Sequence, residues 1–177
     1  RGPDRAPRGV LVRRIGVVAA LLGACAGGVE PAPVADRDGG PAATIEIQTG
    51  APGEYLEFAD GDEVLLQRGC QGSQHVFVSV RGRGFAGETL EIELELERQD
   101  DRTVVSLPLH LRLDFMEDAP AGVRQTTGLT LVVPDPGDVV GERVVIRGTL
   151  VDPAGRTATQ ARPAVVRWGP DSCRGHG

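Results

Sequence analysis

The chain has 177 residues, enough for one domain of ordinary size, and it carries a formal net charge of −6. That charge is unevenly placed: five of the 19 basic residues but only one of the 25 acidic residues lie in residues 1–24, so the remainder has a net charge of −10. A body this acidic repels phosphate backbones, which argues against a nucleic-acid partner. With 3% aromatic residues, 25 Gly and 13 Pro, the composition favours an aliphatic core and many turns over long helices.

The first motif is LVRRIGVVAALLGAC, residues 11–25. Its arginine pair is followed by an apolar run, residues 15–22, which is too short to span a bilayer but typical of a signal peptide. The last four residues, LGAC, resemble the lipobox of bacterial lipoproteins. This resemblance implies cleavage before Cys25 and acylation of its sulfur, which would provide a stable anchor if two or more acyl chains are attached. Residues 1–24 are therefore predicted to be an N-terminal extension and signal peptide.

Residues 25–42 follow with the sequence CAGGVEPAPVADRDGGPA. The stretch has no apolar period and is rich in Gly, Pro and Ala, which is typical of a flexible, semi-extended tether. Ala26, rather than an Asp, follows the lipobox cysteine; under the sorting rule of enterobacterial lipoproteins, the resemblance implies the outer membrane. We therefore expect a lipoprotein of the bacterial cell envelope, held in the outer membrane through Cys25 and facing the periplasm or the surface.

Residues 43–170 form the predicted domain, in which apolar and polar residues alternate with a period of two. This alternation is typical of strands that are half-buried in a sheet, and no long stretch has helical periodicity. About seven to nine short antiparallel strands in such a domain predict a β-sandwich or a barrel, followed by a C-terminal tail at residues 171–177. The predicted strands are 44–49, 54–58, 63–67, 75–81, 88–98, 102–115, 128–134, 142–152 and 157–168.

The hairpin of strands 88–98 and 102–115 allows a prediction of register. If Asp100 and Asp101 form its turn, every apolar residue of one strand faces an apolar residue of the other. Pro108 has no N–H to donate, so we expect the second strand to be a sheet edge or to carry a bulge there. The expected core pairs are Leu96–Val105, Leu94–Leu107, Ile92–Leu109 and Leu90–Leu111, and the expected outer pairs are Glu91–His110 and Glu95–Ser106.

The last two predicted strands are joined by a turn whose type the sequence indicates. Asp152, Pro153 and Gly155 suit a type I turn closed by a left-handed glycine. The segment IRGTLVDPAGRTATQARPAVVRW, residues 146–168, resembles the closing hairpin of bacterial immunoglobulin-like domains, where a D-x-x-G-R turn joins the last two strands. The resemblance implies a single all-β immunoglobulin-like sandwich. The stretch LQRGCQGSQHVFVSVRG, residues 66–82, is similar to uncharacterised lipoproteins of GC-rich bacteria, a likeness that implies no activity.

The cysteines predict a disulfide. With Cys25 assigned to lipid, Cys70 and Cys173 remain, and an even remainder in an exported protein favours one bridge. The bridge would join the turn before strand 75–81 to the C-terminal tail, and it requires the two Cα atoms to lie within about 7 Å of each other. Closing a loop of ~100 residues stabilises a fold by up to ~4–5 kcal/mol in the chain-entropy model.

A metal site is the alternative use of these residues. Cys70 with His75, and Cys173 with His176, are two pairs of potential copper or zinc ligands. Cupredoxins are similar in being small exported sandwiches with a Cys–His loop near the C-terminus, but no Met follows Cys173 here. The alternation of strand 75–81 also places His75 on the face opposite the valines. We therefore expect that no metal or other cofactor is bound.

The remaining polar residues indicate no catalytic site. No serine lies in a G-x-S-x-G elbow, and a His110–Glu91 pair is typical of a solvated sheet face rather than of a catalytic dyad. The acidic row, Glu91, Glu93, Glu95 and Glu97, is an interaction surface for a basic partner or, more simply, a solvated face that discourages edge pairing. We expect a non-enzymatic binding, adhesive or scaffolding module, with a periplasmic metal-binding lipoprotein as the alternative. An enzyme is the third interpretation, which a cleft lined by His110 and acidic residues, rather than an open sheet face, would favour.

Overall fold

The computed structural model describes residues 41–114 and 122–170, which form eight β-strands and no α-helix. The all-β prediction is confirmed for these residues. The predictions for Cys25, Cys173 and His176 lie outside them. The strands are β1 (Thr44–Thr49), β2 (Glu63–Arg68), β3 (Gln74–Arg83), β4 (Thr89–Arg98), β5 (Leu109–Asp114), β6 (Val123–Val132), β7 (Arg143–Val151) and β8 (Thr157–Trp168), with a 3₁₀-helix (Pro136–Asp138) between β6 and β7.

The eight strands belong to one curled sheet of mixed direction. Its strand order is β1-β3-β2-β8-β7-β4-β5, and β6 pairs with β3. β1 pairs with residues 78–83 of β3 and β2 with residues 74–76, whereas β6 pairs along both stretches. β3 therefore has β6 on one edge and β1 followed by β2 on the other. The sheet turns at β2 from a β1–β3–β6 part to a β8–β7–β4–β5 part.

One pairing is parallel, which corrects the expectation of antiparallel strands throughout. β2 runs parallel to β8, with Glu63 beside Val165 and Leu66 beside Trp168. Strands joined by a short turn must be antiparallel, but strands far apart in the sequence are free to pair in either direction. The alternation within each strand therefore carried no information about this pairing.

The core lies between the two parts of the curled sheet. Val76, Val78 and Val80 of β3 are buried, as are Leu90, Ile92, Leu94 and Leu96 of β4. This confirms the predicted core faces of both strands. At Gly148 of β7 the two parts approach closely: a Cβ there would lie 2.7 Å from Cδ2 of Leu94 in β4 and 2.8 Å from Cδ1 of Ile47 in β1. A side chain at this position would have to displace both of these buried side chains, which favours a glycine.

Two polar side chains of β8 close the gap between β8 and β1. Gln160 Oε1 accepts a hydrogen bond from the Ile47 N–H (2.6 Å), and Arg162 Nη1 donates to the Ile47 carbonyl (3.2 Å). Arg162 Nη2 also donates to the Phe58 carbonyl. Buried backbone groups that lack partners cost stability. These contacts therefore hold both β1 and the β1–β2 segment (residues 50–62) against β8.

The predicted strand 54–58 is wrong, because the β1–β2 segment makes only one isolated bridge, Leu56 with Thr49. The segment lies on the face of β3 that points away from the core, where the Ser79 hydroxyl donates to the Glu54 carbonyl (2.9 Å). Its apolar residues alternate for another reason: the Phe58 side chain enters the core, whereas the Leu56 side chain is exposed. A period of two arises here without a second strand for the segment to pair with.

The β4–β5 register differs by two residues from the prediction. The isolated bridge Glu97–Val104 follows the predicted register, but regular pairing begins at Leu94–Leu109. The intervening residues leave the ladder, and the Ser106 hydroxyl accepts a hydrogen bond from the Leu96 N–H (2.9 Å). A shift of two keeps every side chain on its own face. Sequence alternation therefore cannot detect such a shift.

This shift corrects both expected outer pairs. His110 lies opposite Glu93, while Glu91 faces Arg112. Glu95 does not face Ser106, because the Ser106 side chain is buried. The predicted strand 102–115 is regular only within β5, which lies at an end of the strand order. The expectation of an edge or a bulge at Pro108 is therefore confirmed.

The turn between β7 and β8 has the predicted hydrogen bond. The Gly155 N–H donates to the Asp152 carbonyl (2.9 Å), and Gly155 has a φ of +81°. The buried Asp152 carboxylate accepts hydrogen bonds from the backbone of Ala86, Ala154 and Arg156 and from the Arg156 side chain. Burial by itself raises the pKa of Asp152, but these donors outweigh it and lower the pKa below its usual value.

Candidate functional site

The acidic row of β4 lies on the outward face of the β8–β7–β4–β5 part and forms rungs with its neighbours. Glu93 lies between His110 of β5 and Thr149 of β7, and Glu95 lies opposite Arg147 of β7. Directly opposed side chains in a sheet lie close enough to interact. The row is therefore not a free acidic stripe, since cationic or hydroxyl side chains stand beside it.

A polar cleft of about 370 Å³ is found on this face. Its walls include Glu93, Glu95, His110 and Arg147, and its floor includes Leu109. It lies where β5 joins β4 after the two-residue register shift. The irregular hairpin therefore opens a depression on a face that the sequence predicted to be flat.

Arg147 lies between Glu95, which lines the polar cleft, and Glu97, which lies beside it. Arg147 Nη2 lies 3.0 Å from Glu97 Oε2, and its Nε lies 3.8 Å from Glu95 Oε1. The hydrogen bond from Arg147 lowers the pKa of Glu97. Burial, together with the hydrogen bond and repulsion from Glu97, raises the pKa of Glu95. Glu95 therefore holds its proton to a higher pH than an ordinary Glu, while Glu97 stays ionised.

A carboxyl group with a raised pKa beside a cleft is a feature of acid–base sites. In this protein burial is the largest cause of the shift, and the ionised carboxylate of Glu97 adds to it by discouraging a second negative charge. The shift by itself therefore defines no reaction. What the geometry does show is a cleft whose charges are largely balanced by each other.

The predicted ligands Cys70 and His75 lie at the β2–β3 turn. Cys70 is exposed, whereas the His75 ring packs edge-on against Phe77 with ring centres 4.6 Å apart. Burial lowers the pKa of His75, and its Nδ1 is buried without a hydrogen-bond partner among the described residues. In the described ranges, no group of three or more His, Cys, Asp or Glu residues is placed to hold a metal ion.

A second concave surface, the acidic groove, lies along β2 and has a volume of about 390 Å³. Its floor contains Leu56, Leu65 and Phe77. Its rim carries four carboxylates, and none of the described residues that line the groove is basic. The exposed fractions of Leu56 and Leu65 are 54% and 44%, which is high for side chains of this size. The rim residues are Glu54, Glu57, Asp62 and Glu63.

The acidic groove could not be located from the sequence, because its residues come from the misassigned β1–β2 segment, from β2 and from β3. The single usable signal was the pair of carboxyl clusters that flank short apolar residues in EYLEFADGDE, residues 54–63. The alternation in that stretch predicts a strand followed by a turn. The groove forms between the β1–β2 segment and β2, and only the tertiary structure brings these two together.

The fold and these two surfaces define an all-β domain with a balanced polar cleft and an acidic groove with an apolar floor. Neither a scan against protein-family models nor a search of curated proteins returns a match for this chain. In residues 41–114 and 122–170, no helix is both long and apolar enough to cross a bilayer.

Proposed function

We propose that this protein is a lipid-anchored module of the bacterial cell envelope that binds a protein partner without catalysis. In this proposal Cys25 carries the lipid, residues 26–42 form a tether, and the β-domain presents its surface in an adhesive or scaffolding role. The outer membrane is the proposed location. The observation that carries the binding role is the acidic groove, which combines exposed leucines with four rim carboxylates, of which only Glu63 has an ion pair among the described residues.

The proposal includes an immunoglobulin-like sandwich, which the strand order supports. A β1–β3–β6 part faces a β5–β4–β7–β8 part across one core. Immunoglobulin-like sandwiches divide their strands between two sheets in a related way, with the last hairpin packed beside a strand from the first half of the fold, as β7–β8 lies beside β4 here. The D-x-x-G-R turn at Asp152 adds to this support.

The lipid anchor rests on the segment LVRRIGVVAALLGAC and is tested by acylation. When the wild-type chain is expressed in a bacterial host that is supplied with radiolabelled palmitate, the chain should incorporate the label. It should also sediment with the membrane fraction. Cys25→Ser should abolish both, whereas Cys70→Ser should retain both. Label that persists in Cys25→Ser, or an unlabelled wild-type chain in the soluble fraction, would contradict the anchor.

The parallel pairing of β2 and β8 supports the Cys70–Cys173 disulfide. Leu66 lies beside Trp168, so a chain continuing in the same direction would reach the level of Cys70 within a few residues of Trp168. We expect no free thiol from this pair when the unreduced, denatured protein is titrated, and two after reduction. Two free thiols before reduction would rule the bridge out.

The alternative proposal is a periplasmic copper- or zinc-binding lipoprotein that uses Cys70, His75, Cys173 and His176. The buried, unpartnered Nδ1 of His75 is the one observation that favours it. Free thiols in the unreduced protein, together with stoichiometric zinc retained through desalting, would establish this alternative. Metal that is lost on desalting from a protein with no free thiols would exclude it.

A further inference from the structure

We propose that the acidic groove binds an extended, basic segment of a partner protein, with alternating apolar side chains seated on Leu56 and Leu65. This inference rests on the proposed binding role and specifies its surface and its chemistry. Two properties of the groove carry it: an apolar floor that remains open, and a rim of one charge sign.

The floor is open because of how the strands are arranged. Leu65 lies between Val64 and Leu66, which are both buried, so alternation turns its side chain away from the core. Leu56 belongs to the β1–β2 segment and makes only the bridge to Thr49. Among the described residues, no side chain covers either leucine enough to bury it. Covering them with apolar groups of a partner would be favourable.

The rim specifies the charge of the partner. Glu63 is paired with Arg167 (Nε to Oε1, 2.9 Å), and Asp62 accepts a hydrogen bond from the Ala59 N–H (2.8 Å). Glu54 and Glu57 are exposed, and no ion pair is found for either of them among the described residues. A partner that brings Arg or Lys side chains would gain attraction at this rim, whereas an acidic partner would be repelled.

The polar cleft is the less suitable surface for the same partner. Its Glu95 already has Arg147 as a neighbour and holds its proton to a higher pH than an ordinary Glu. A cation that bound there would have to compete with a guanidinium that is already in place. The charge complementarity therefore favours the acidic groove.

The test uses the purified full chain and two labelled hexapeptides, RLRFRL and ELEFEL, in fluorescence anisotropy. RLRFRL should bind at micromolar concentrations and more weakly at high salt, and ELEFEL should not bind. Leu65→Ser on the floor and Glu57→Arg on the rim should each weaken binding at least about fivefold. Their matched controls, Leu107→Ser and Glu88→Arg, change residues that are also exposed but lie outside the groove, and should leave binding unchanged.

Several results would overturn the inference. Equal binding of both peptides, or equal loss in the variants and their controls, would show that the groove is not the site. A dimer in sedimentation that Leu65→Ser dissociates would show that a second copy occupies the groove. None of these results depends on acylation of Cys25, so the anchor and the groove can fail separately.

Discussion

Two carboxylates line the polar cleft and four line the acidic groove, and their surroundings differ. Beside the cleft, Arg147 lies near both Glu95 and Glu97; its hydrogen bond lowers the pKa of Glu97, whereas burial and the neighbouring Glu97 raise the pKa of Glu95. On the groove rim, Glu54 and Glu57 are exposed, and no ion pair is found for either of them among the described residues. The difference shows that a row of carboxylates says little about binding until its neighbours are known. Charges that are matched within the fold stabilise it, whereas unmatched charges remain available to a partner.

The groove depends on how the β1–β2 segment is seated, and Gly128→Ala should disturb this most. Gly128 has a φ of +67°, and a Cβ there would lie 2.5 Å from the Pro52 nitrogen. Strained backbone and a backbone clash together should cost about 3 kcal/mol in the free energy of unfolding. Urea denaturation measures this cost. Gly137→Ala, where a Cβ meets no atom within 4 Å, is the control and should change stability by less than about 0.5 kcal/mol.

The second largest effect is expected when the segment loses its tie to β8. Arg162 donates to the carbonyls of Ile47 and Phe58 and pairs with Asp60 (2.5 Å), and its side chain is only 13% exposed. Arg162→Ala should lower the free energy of unfolding by about 2–3 kcal/mol, because two carbonyls lose their donor. The exposed Arg167→Ala should cost less than about 1 kcal/mol. Equal losses would show that these contacts do not secure the groove.

The contributions of Glu95 and Glu97 to the free energy of unfolding should depend on pH with opposite signs. The lowered pKa of Glu97 contributes stability above the unfolded-state value of about 4.3, and this contribution is lost as the pH falls through the folded-state pKa. The raised pKa of Glu95 contributes stability below about 4.3, and this is lost as the pH rises through its folded-state pKa.

At pH 7, Glu97→Gln should therefore destabilise the protein and Glu95→Gln should stabilise it, each by about 0.5–1 kcal/mol because both sites are near the surface. Both differences should fade below about pH 4. Thermal unfolding across this pH range measures the effect, and NMR titration of Glu95 in Glu97→Gln should show its pKa falling toward the usual value. Two changes of the same sign at pH 7 would contradict the coupling.

The smallest effect is expected on the groove rim. Glu57→Gln should change the free energy of unfolding by less than about 0.5 kcal/mol, because Glu57 is exposed and has no ion pair among the described residues. Denaturation at low and high salt should give the same small difference. A loss of more than about 1 kcal/mol would show that the rim carboxylates serve the fold and are not left for a partner.

Local patterns predicted much of the fold. The alternation of β3 and β4 identified their core faces, and the D-x-x-G-R turn identified the β7–β8 hairpin, because both signals arise between residues close in sequence. The register of β5 was wrong by two residues since such a slip preserves every face. Because of this error, the prediction placed His110 opposite Glu91 instead of Glu93. It also missed the polar cleft, which lies where the actual register shift occurs.

The sequence by itself determined that residues 41–114 and 122–170 are all-β, which of them are apolar enough to form the core, and that the last hairpin closes on Asp152. Tertiary structure alone decided that β2 pairs in parallel with β8, that residues 54–58 lie over β3 instead of forming a strand, and that Leu56 and Leu65 share a groove. The physical reason is the distance along the chain over which each interaction acts. Alternation and turn chemistry act over a few residues, whereas strand pairing and surface shape depend on contacts between segments that the chain order leaves undefined.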